Sequence, residues 1–106
     1  MNEIIVLSTV DSRDLGKKIA NALVEAGDAA CVNIIPGMTS IYRWEGKVCN
    51  EEECLLVIKS STEKFEIIRE TIKRLHSYQV PEIIAVPATA GDTEYLAWMR
   101  ASLSTR

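Results

Sequence analysis

Few residues in this sequence could do chemistry, and they do not form a recognisable catalytic set. His76 is the one histidine, and therefore the one candidate imidazole base or metal ligand. Three cysteines, Cys31, Cys49 and Cys54, are too few for an iron–sulfur centre. Cys31 and Cys54 lie in apolar segments and are predicted to be buried thiols, whereas Cys49 lies in a polar stretch and is predicted to be exposed. This inventory favours binding over catalysis.

A second group of residues combines charge with aromatic rings. Lys59 ends an apolar segment, and Glu82 opens another directly after Pro81, so we expect both to lie near His76 and Tyr78. The group is completed by three further aromatic residues, Tyr42, Trp44 and Trp98. Aromatic residues with a few polar groups line ligand pockets. They equally line subunit interfaces, which is the favoured interpretation.

The elements that must position these residues alternate between strand and helix patterns. Strands are predicted at 3–9, 29–44, 48–60 and 83–86, with a bulge at Pro36-Gly37 and a hairpin turn at Glu45-Gly46-Lys47. Apolar residues at helical spacing predict helices between the first two strands, between the last two, and after Gly91. The order β-α-β-β-α-β with a C-terminal helix predicts an α+β, ferredoxin-like antiparallel sheet with helices on one face.

Local signals mark the ends of the helices. Asp11 or Ser12 is predicted to cap the first helix, which Gly27 ends in a left-handed conformation. Ser60 and Glu63 have the spacing of a capping box for the second helix. Asp92 is predicted to cap the last helix, whose inward residues are expected to be Tyr95, Leu96, Met99 and Leu103.

Length and composition limit the classes of protein to which this chain could belong. The 106 residues predict a single domain, 1–106, and 47% hydrophobic with 25% charged residues is typical of a globular chain. A net charge of −3, without aromatics in the central strands, argues against nucleic-acid or anionic-membrane partners. No apolar run approaches the ~20 residues of a membrane span. Residues 1–7 lack the basic start of a signal peptide, so we expect reduced thiols and a cytoplasmic location.

The hairpin suggests self-association. Its two arms, 29–44 and 47–60, are each about three times the ~5–6 residues of an ordinary strand. One domain has too little sheet to pair them fully, so an exposed edge would carry Ile41, Tyr42, Trp44 and Val48. We therefore expect hairpins of neighbouring subunits to pair with each other.

Four separated motifs resemble the CutA family of divalent-cation-tolerance proteins. They are Ala-Ala-Cys-Val-Asn-Ile-Ile-Pro-Gly at 29–37, Ser-Ile-Tyr-Arg-Trp-Glu-Gly at 40–46, His-Ser-Tyr-Gln-Val-Pro-Glu at 76–82 and Tyr-Leu-Ala-Trp at 95–98. The resemblance implies a homotrimer shaped like PII signalling proteins, linked to copper tolerance and without established enzymatic activity. It implies a metal- or ligand-responsive protein that requires no cofactor. The alternatives are an inter-subunit enzyme with His76 as base and Lys59 as electrophile, and a structural trimeric scaffold.

The resemblance also implies where copper would bind. Family members with a proposed site use a cysteine near the end of the first strand and an adjacent histidine pair. This sequence has Ser8 at the cysteine position and Leu75-His76 at the histidine pair. Of the three ligand positions, only that of His76 therefore carries the family's residue type. A hydroxyl and one imidazole suit soft copper poorly. We therefore expect weak binding of copper or another divalent cation, at best through His76 and a neighbour as metal ligands. The favoured interpretation of His76 is a structural residue that caps the second helix, or a pocket residue.

Overall fold

The computed structural model describes residues 2–104, which form a four-stranded antiparallel sheet with three α-helices. The elements are β1 (Glu3–Val10), α1 (Arg13–Glu25), β2 (Cys31–Trp44), β3 (Lys47–Ser61), α2 (Phe65–Leu75), β4 (Ile84–Pro87) and α3 (Thr93–Ser102). A 3-10 turn at Thr62–Lys64 leads into α2. The strands lie in the order β2-β3-β1-β4, which confirms the predicted α+β architecture. Among residues 2–104, no helix is long and apolar enough to cross a bilayer.

One face of the sheet carries the main core. Alternate residues of β1 and β3, such as Val6 and Ile58, are fully buried beneath α1 and α2. Their helical partners include Ile19, Leu23 and Ile72, which are equally buried. The apolar residues that alternate along the strands and those at helical spacing in α1 and α2 therefore pack together in one apolar layer.

The opposite face, which we call the open face, is only partly covered. It carries Ile5, Leu7, Leu55, Val57, Ile84 and Val86, of which Ile84 and Val86 are exposed. Helix α3 lies at one end of this face, where Arg100 Nε contacts Glu3 Oε2 at 2.9 Å. Leu96 and Met99 of α3 are buried, as predicted, but Tyr95 is exposed, so its predicted inward position is wrong for the single chain.

Most of the local signals are confirmed. Ser12 Oγ accepts from Leu15 N at 3.1 Å, and Asp92 caps α3 through Tyr95 N. Gly27 has a φ of +74°, the left-handed conformation expected after a helix. The register shifts between Ile35 and Met38, which is the predicted bulge. The capping box is wrong, because Ser60 Oγ is buried and donates to Asp28 O at 2.6 Å instead.

Beyond the bulge, the hairpin extends past the rest of the sheet. Strand β3 pairs with β1 only from Cys54 to Ser61, so Lys47 to Glu53 pair with β2 alone. We call this two-stranded extension, residues 38–53, the hairpin arm. At ~3.3 Å per residue, its strands reach roughly 20 Å beyond their last contact with β1. The arm makes the subunit elongated, with extents of 44 × 26 × 21 Å.

Candidate functional site

A cavity of about 850 Å³ lies between the hairpin arm and the segment that follows α2. It is concave, partly open to solvent, and mixed in character, as small-molecule sites are. We call it the arm cavity. Its lining residues are Thr9, Ser40, Ile41, Tyr42, Trp44, Cys49, Glu51, Glu53, Tyr78, Gln79, Val80, Pro81 and Glu82.

The arm presents mainly one face of its two strands to this cavity, although Ile41 of the other face also lines it. The turn at Glu45-Gly46, where both residues have positive φ, sets a register in which Tyr42 pairs with Cys49. Glu51 and Glu53 follow on the same side of β3 because strand side chains alternate. Tyr42 Oη donates to Glu51 Oε1 at 3.2 Å, which holds ring and carboxylate side by side.

Glu52 points to the other side of the arm. Its Oε2 accepts from Thr39 Oγ1 at 3.2 Å, and neither residue lines the cavity. The acidic run 51–53 is therefore divided by the pleat: two carboxylates belong to the cavity and one does not.

The opposite wall begins at His76, directly after α2. His76 Nε2 lies 2.7 Å from Thr9 O, and Nδ1 accepts from Tyr78 N at 3.0 Å. Because Nδ1 accepts, the bonding pattern assigns the ring proton to Nε2, which donates to Thr9 O. Both ring nitrogens are therefore engaged with backbone groups.

The next two residues tie the same wall to the sheet. Ser77 Oγ donates to Asp11 Oδ2 at 3.1 Å, and Tyr78 Oη donates to Glu53 Oε2. The rings of His76 and Tyr78 are 4.6 Å apart. Three consecutive side chains thus fix the start of the 76–82 segment against the end of β1 and against the middle of β3, where the hairpin arm leaves the sheet. That segment then closes one side of the arm cavity.

Both cavity tyrosines have raised pKa values. Burial, followed by the hydrogen bond and charge of Glu53, raises the pKa of Tyr78 far above its ordinary value of 10.0. Partial burial, followed by the charge of Glu51 and the hydrogen bond to it, also raises the pKa of Tyr42. Both phenols therefore stay protonated at neutral pH and serve as hydrogen-bond donors to carboxylates.

The geometry suits binding better than covalent catalysis. The one thiol lining the cavity, Cys49, has its Sγ 3.9 Å from Lys47 O, so its hydrogen-bond partner is a backbone carbonyl. His76 is occupied by Thr9 and Tyr78, so it is not placed as a general base. What remains in the cavity is a set of carboxylates and aromatic rings, which recognise ligands through charge and shape.

The structure brings together four of the residues that the sequence nominated. Tyr42, Trp44, Tyr78 and Glu82 all line the arm cavity. Lys59 does not join them, because it pairs with Ile5 near the start of β1, whereas the cavity residue Thr9 lies near the end of that strand. The role of the four residues as a ligand pocket or a subunit interface stays a prediction.

Lys59 and Trp98 lie together elsewhere, beside α3. Lys59 pairs with Ile5 of β1 and Cys31 of β2, and its Nζ lies 5.7 Å from the centroid of the Tyr95 ring. The Tyr95 and Trp98 rings are 5.5 Å apart. The expectation that Lys59 lies near His76 and Glu82 is therefore wrong within one subunit.

Glu51, Glu53 and Thr9 also line the cavity, although none of them was a predicted site residue. The register of the arm was available from the turn: counting outward from Glu45-Gly46 pairs Ser40 with Glu51 and places it beside Tyr42. No sequence pattern indicated that Thr9 lines the cavity, because its position in the cavity wall depends on the packing of the 76–82 segment against β1.

The copper site implied by the sequence does not fit the residues present. Ser8 is fully buried on the core face, and its Oγ has no hydrogen-bond partner among residues 2–104. His76 would have to break a backbone hydrogen bond to bind a metal. Within the same residues, no three His, Cys, Asp or Glu side chains are grouped to hold an ion. The role of His76 as a metal ligand stays a prediction.

The burial of the three thiols differs from expectation at two positions. Cys54 is buried, as predicted, but Cys31 is only half-buried because it lies on the open face opposite Lys59. Cys49 is half-buried rather than exposed, since it lines the cavity.

Comparisons with known proteins agree on one family. The family model described as CutA1 divalent ion tolerance protein matches residues 4–102. The divalent-cation tolerance protein CutA of Thermus thermophilus is 52% identical over 98 residues, covering 92% of this chain and 95% of the relative. Chloroplastic CutA of Arabidopsis thaliana is 48% identical over 99 residues, covering 93% of this chain but 54% of the plant protein. The crystal structure of CutA1 from Oryza sativa superposes with a TM-score of 0.96 at 40% identity, covering 100% of this chain and 97% of that one.

Proposed function

Because this chain belongs to the CutA1 divalent ion tolerance protein family, we propose that it is a non-enzymatic homotrimer that acts in tolerance to divalent cations. In this proposal the arm cavity is the site through which the trimer responds to a ligand, in the manner of PII-type signalling proteins. The names of the relatives described above all refer to CutA or to divalent-ion tolerance, and none denotes an enzyme.

The observation that carries the proposal is the projecting hairpin arm. Ile41 is 69% and Val48 is 68% exposed, and the rings of Tyr42 and Trp44 are also accessible. A long two-stranded extension with exposed apolar residues is an association site unless another chain covers it. Arms of neighbouring subunits would pair or pack there, and the arm cavity would then lie at a subunit boundary.

The open face supports the same assembly. Exposed Ile35 lies on β2, and exposed Ile84 and Val86 lie on β4, which are the two edge strands of the sheet. A second sheet is a natural cover for such a surface. The proposed number of subunits, three, is taken from the family resemblance, because complementary surfaces alone do not determine the symmetry of an assembly.

Sedimentation equilibrium at low micromolar concentration tests the assembly. We expect a mass close to three times the 11.8 kDa of one chain. A mass near that of the single chain would contradict the homotrimer, and a dimer would contradict the number of subunits.

Growth of cells that lack their own family member tests the role in tolerance. Expression of this chain is expected to restore growth in elevated copper, and removal of the arm-cavity charges by Glu51→Gln with Glu53→Gln is expected to abolish that effect. A variant that remains trimeric and still restores growth would separate tolerance from the cavity and favour a structural scaffold.

We further propose a cytoplasmic location and copper binding that is at most weak, without a required cofactor. The three free thiols are compatible with a reducing compartment. The absence of thiolate at Ser8 and of imidazole at Leu75 supports weak binding. The net charge of −3 supports a protein whose partners are copies of itself, a metal ion or a small ligand, and neither nucleic acid nor a membrane.

A further inference from the structure

The arm cavity has an unusual charge balance. Three carboxylates line it, from Glu51 and Glu53 on the arm and from Glu82 on the opposite wall. Its lining within residues 2–104 includes no lysine, arginine or histidine side chain. Charges of one sign in a concave site raise the local concentration of ions of the opposite sign. The cavity is therefore suited to a cation and not to a phosphate or carboxylate ligand.

Glu53 adds an independent observation, because its carboxylate is buried and has no cationic partner among residues 2–104. The residue is only 6% exposed, and its Oε2 accepts from Tyr78 Oη. No lysine, arginine or histidine of residues 2–104 forms an ion pair with it. A buried carboxylate is costly unless its oxygens are compensated by donors or opposite charge. An occupant with N–H donors and a positive charge would supply both.

The aromatic residues narrow the class of cation. The rings of Tyr42, Trp44 and Tyr78 line the same cavity as the three carboxylates. Ring faces attract ammonium groups and give them a partly apolar surround that suits the methylene chain of an amine. The two phenols are oriented by hydrogen bonds to Glu51 and Glu53, so ring and carboxylate act as paired elements on each side.

A bare divalent metal fits this arrangement less well. Such an ion requires several oxygen ligands converging at ~2.0–2.6 Å. Among residues 2–104, no three His, Cys, Asp or Glu side chains are grouped in this way. The three carboxylates come instead from two strand positions and a separate loop, around a space of about 850 Å³. Dispersed charges in a roomy cavity match a molecule with separated positive groups.

We propose that the arm cavity binds an aliphatic di- or polyamine, with Glu53 and Tyr78 holding one ammonium group and Glu51 or Glu82 holding another. The inference rests on the proposed function, since it takes the arm cavity as the ligand site of the protein. It assigns that site a class of ligand chemically distinct from a metal ion.

Isothermal titration of the full chain with 1,4-diaminobutane at neutral pH and low salt tests the assignment. Saturable binding is expected for the diamine and none for 1,4-butanediol, which has the same chain length without charge. Glu53→Gln should weaken diamine binding by about ten-fold or more, because a charge-assisted hydrogen bond is replaced by a neutral one. Added salt should weaken binding to the wild-type chain.

Glu52→Gln is the matched control. It removes the same charge from the neighbouring position, on the side of the arm that faces away from the cavity. Its diamine affinity should stay within about two-fold of the wild type. If Glu53→Gln does not fold, Trp44→Leu takes its place, since Trp44 is exposed and has no role in the main core.

Three outcomes would overturn the amine assignment. They are the absence of saturable diamine binding, equal binding of the diol, and equal loss of affinity in the Glu52 and Glu53 variants. A parallel titration with Zn²⁺ alone separates this inference from the proposed function. Tight Zn²⁺ binding abolished by Glu53→Gln, without diamine binding, would make the cavity a metal site and leave a ligand-responsive trimer intact. A monomer in sedimentation would contradict the proposed assembly, whatever the diamine result.

Discussion

Tyr78 and Glu53 are 25 positions apart in the sequence and meet through a hydrogen bond from Tyr78 Oη to Glu53 Oε2. The bond joins the loop after α2 to the point where the hairpin arm leaves the sheet. It therefore fixes the two walls of the arm cavity relative to each other.

Removing the Tyr78 hydroxyl should destabilise the protein. Tyr78→Phe keeps the ring beside His76 but deprives the buried Glu53 carboxylate of its donor. We expect a loss of about 1–2 kcal/mol in the free energy of unfolding, measured by urea denaturation. Tyr95→Phe is the control, because Tyr95 is an exposed tyrosine on α3 and should change stability little. Equal effects of the two variants would contradict the structural role of the bond.

The same contact predicts a pH dependence. The pKa of Tyr78 is raised in the folded chain, so its stabilising contribution is complete below pH 10.0 and is lost as pH rises above that value. The wild-type protein should therefore lose more stability between pH 9 and 11 than Tyr78→Phe does. Denaturation curves across this range measure the difference, and parallel declines for both proteins would show that Tyr78 does not contribute.

A charge on the hairpin arm should disrupt assembly. Ile41→Glu places a carboxylate on a residue that is 69% exposed in the single chain, where a partner is expected to cover it. Association should weaken by about ten-fold or more, because the carboxylate would be buried without a partner. Val24→Glu, on the exposed side of α1, is the matched control and should sediment like the wild type.

Copper binding should be weak, and His76 should matter mainly for stability. The variant His76→Ala loses the hydrogen bonds of the imidazole to Thr9 O and Tyr78 N. This loss should lower the free energy of unfolding by about 1–2 kcal/mol, both in the presence and in the absence of metal. Titration with Cu(I) against a competing chelator measures affinity. Tight stoichiometric binding that His76→Ala abolishes would show that His76 is a genuine ligand.

Thiol labelling should report both burial and assembly. Cys54 is buried in the core and should react slowly with iodoacetamide in every native form. Cys31 lies half-buried on the open face, so it should be protected in the wild-type assembly and react faster in a dissociated Ile41→Glu variant. Mass spectrometry after a timed pulse distinguishes the sites. Equal Cys31 labelling in both proteins would show that assembly leaves this part of the open face uncovered.

The sequence by itself determined the order of elements, a cap at Asp11 or Ser12, the cap at Asp92, the bulge after Ile35 and the turn at Gly46. Each of these depends on side chains and backbone preferences within a few residues. The four-motif resemblance likewise identified the family, because it is carried by residue types alone. Tertiary structure decided which distant residues meet. Ser60 bonds to Asp28 instead of capping α2, and Lys59 lies beside Ile5, away from the Thr9 end of β1 where the cavity is. Glu53 joins Tyr78 because the loop after α2 packs against β1, and such long-range packing leaves no periodic signal in the chain.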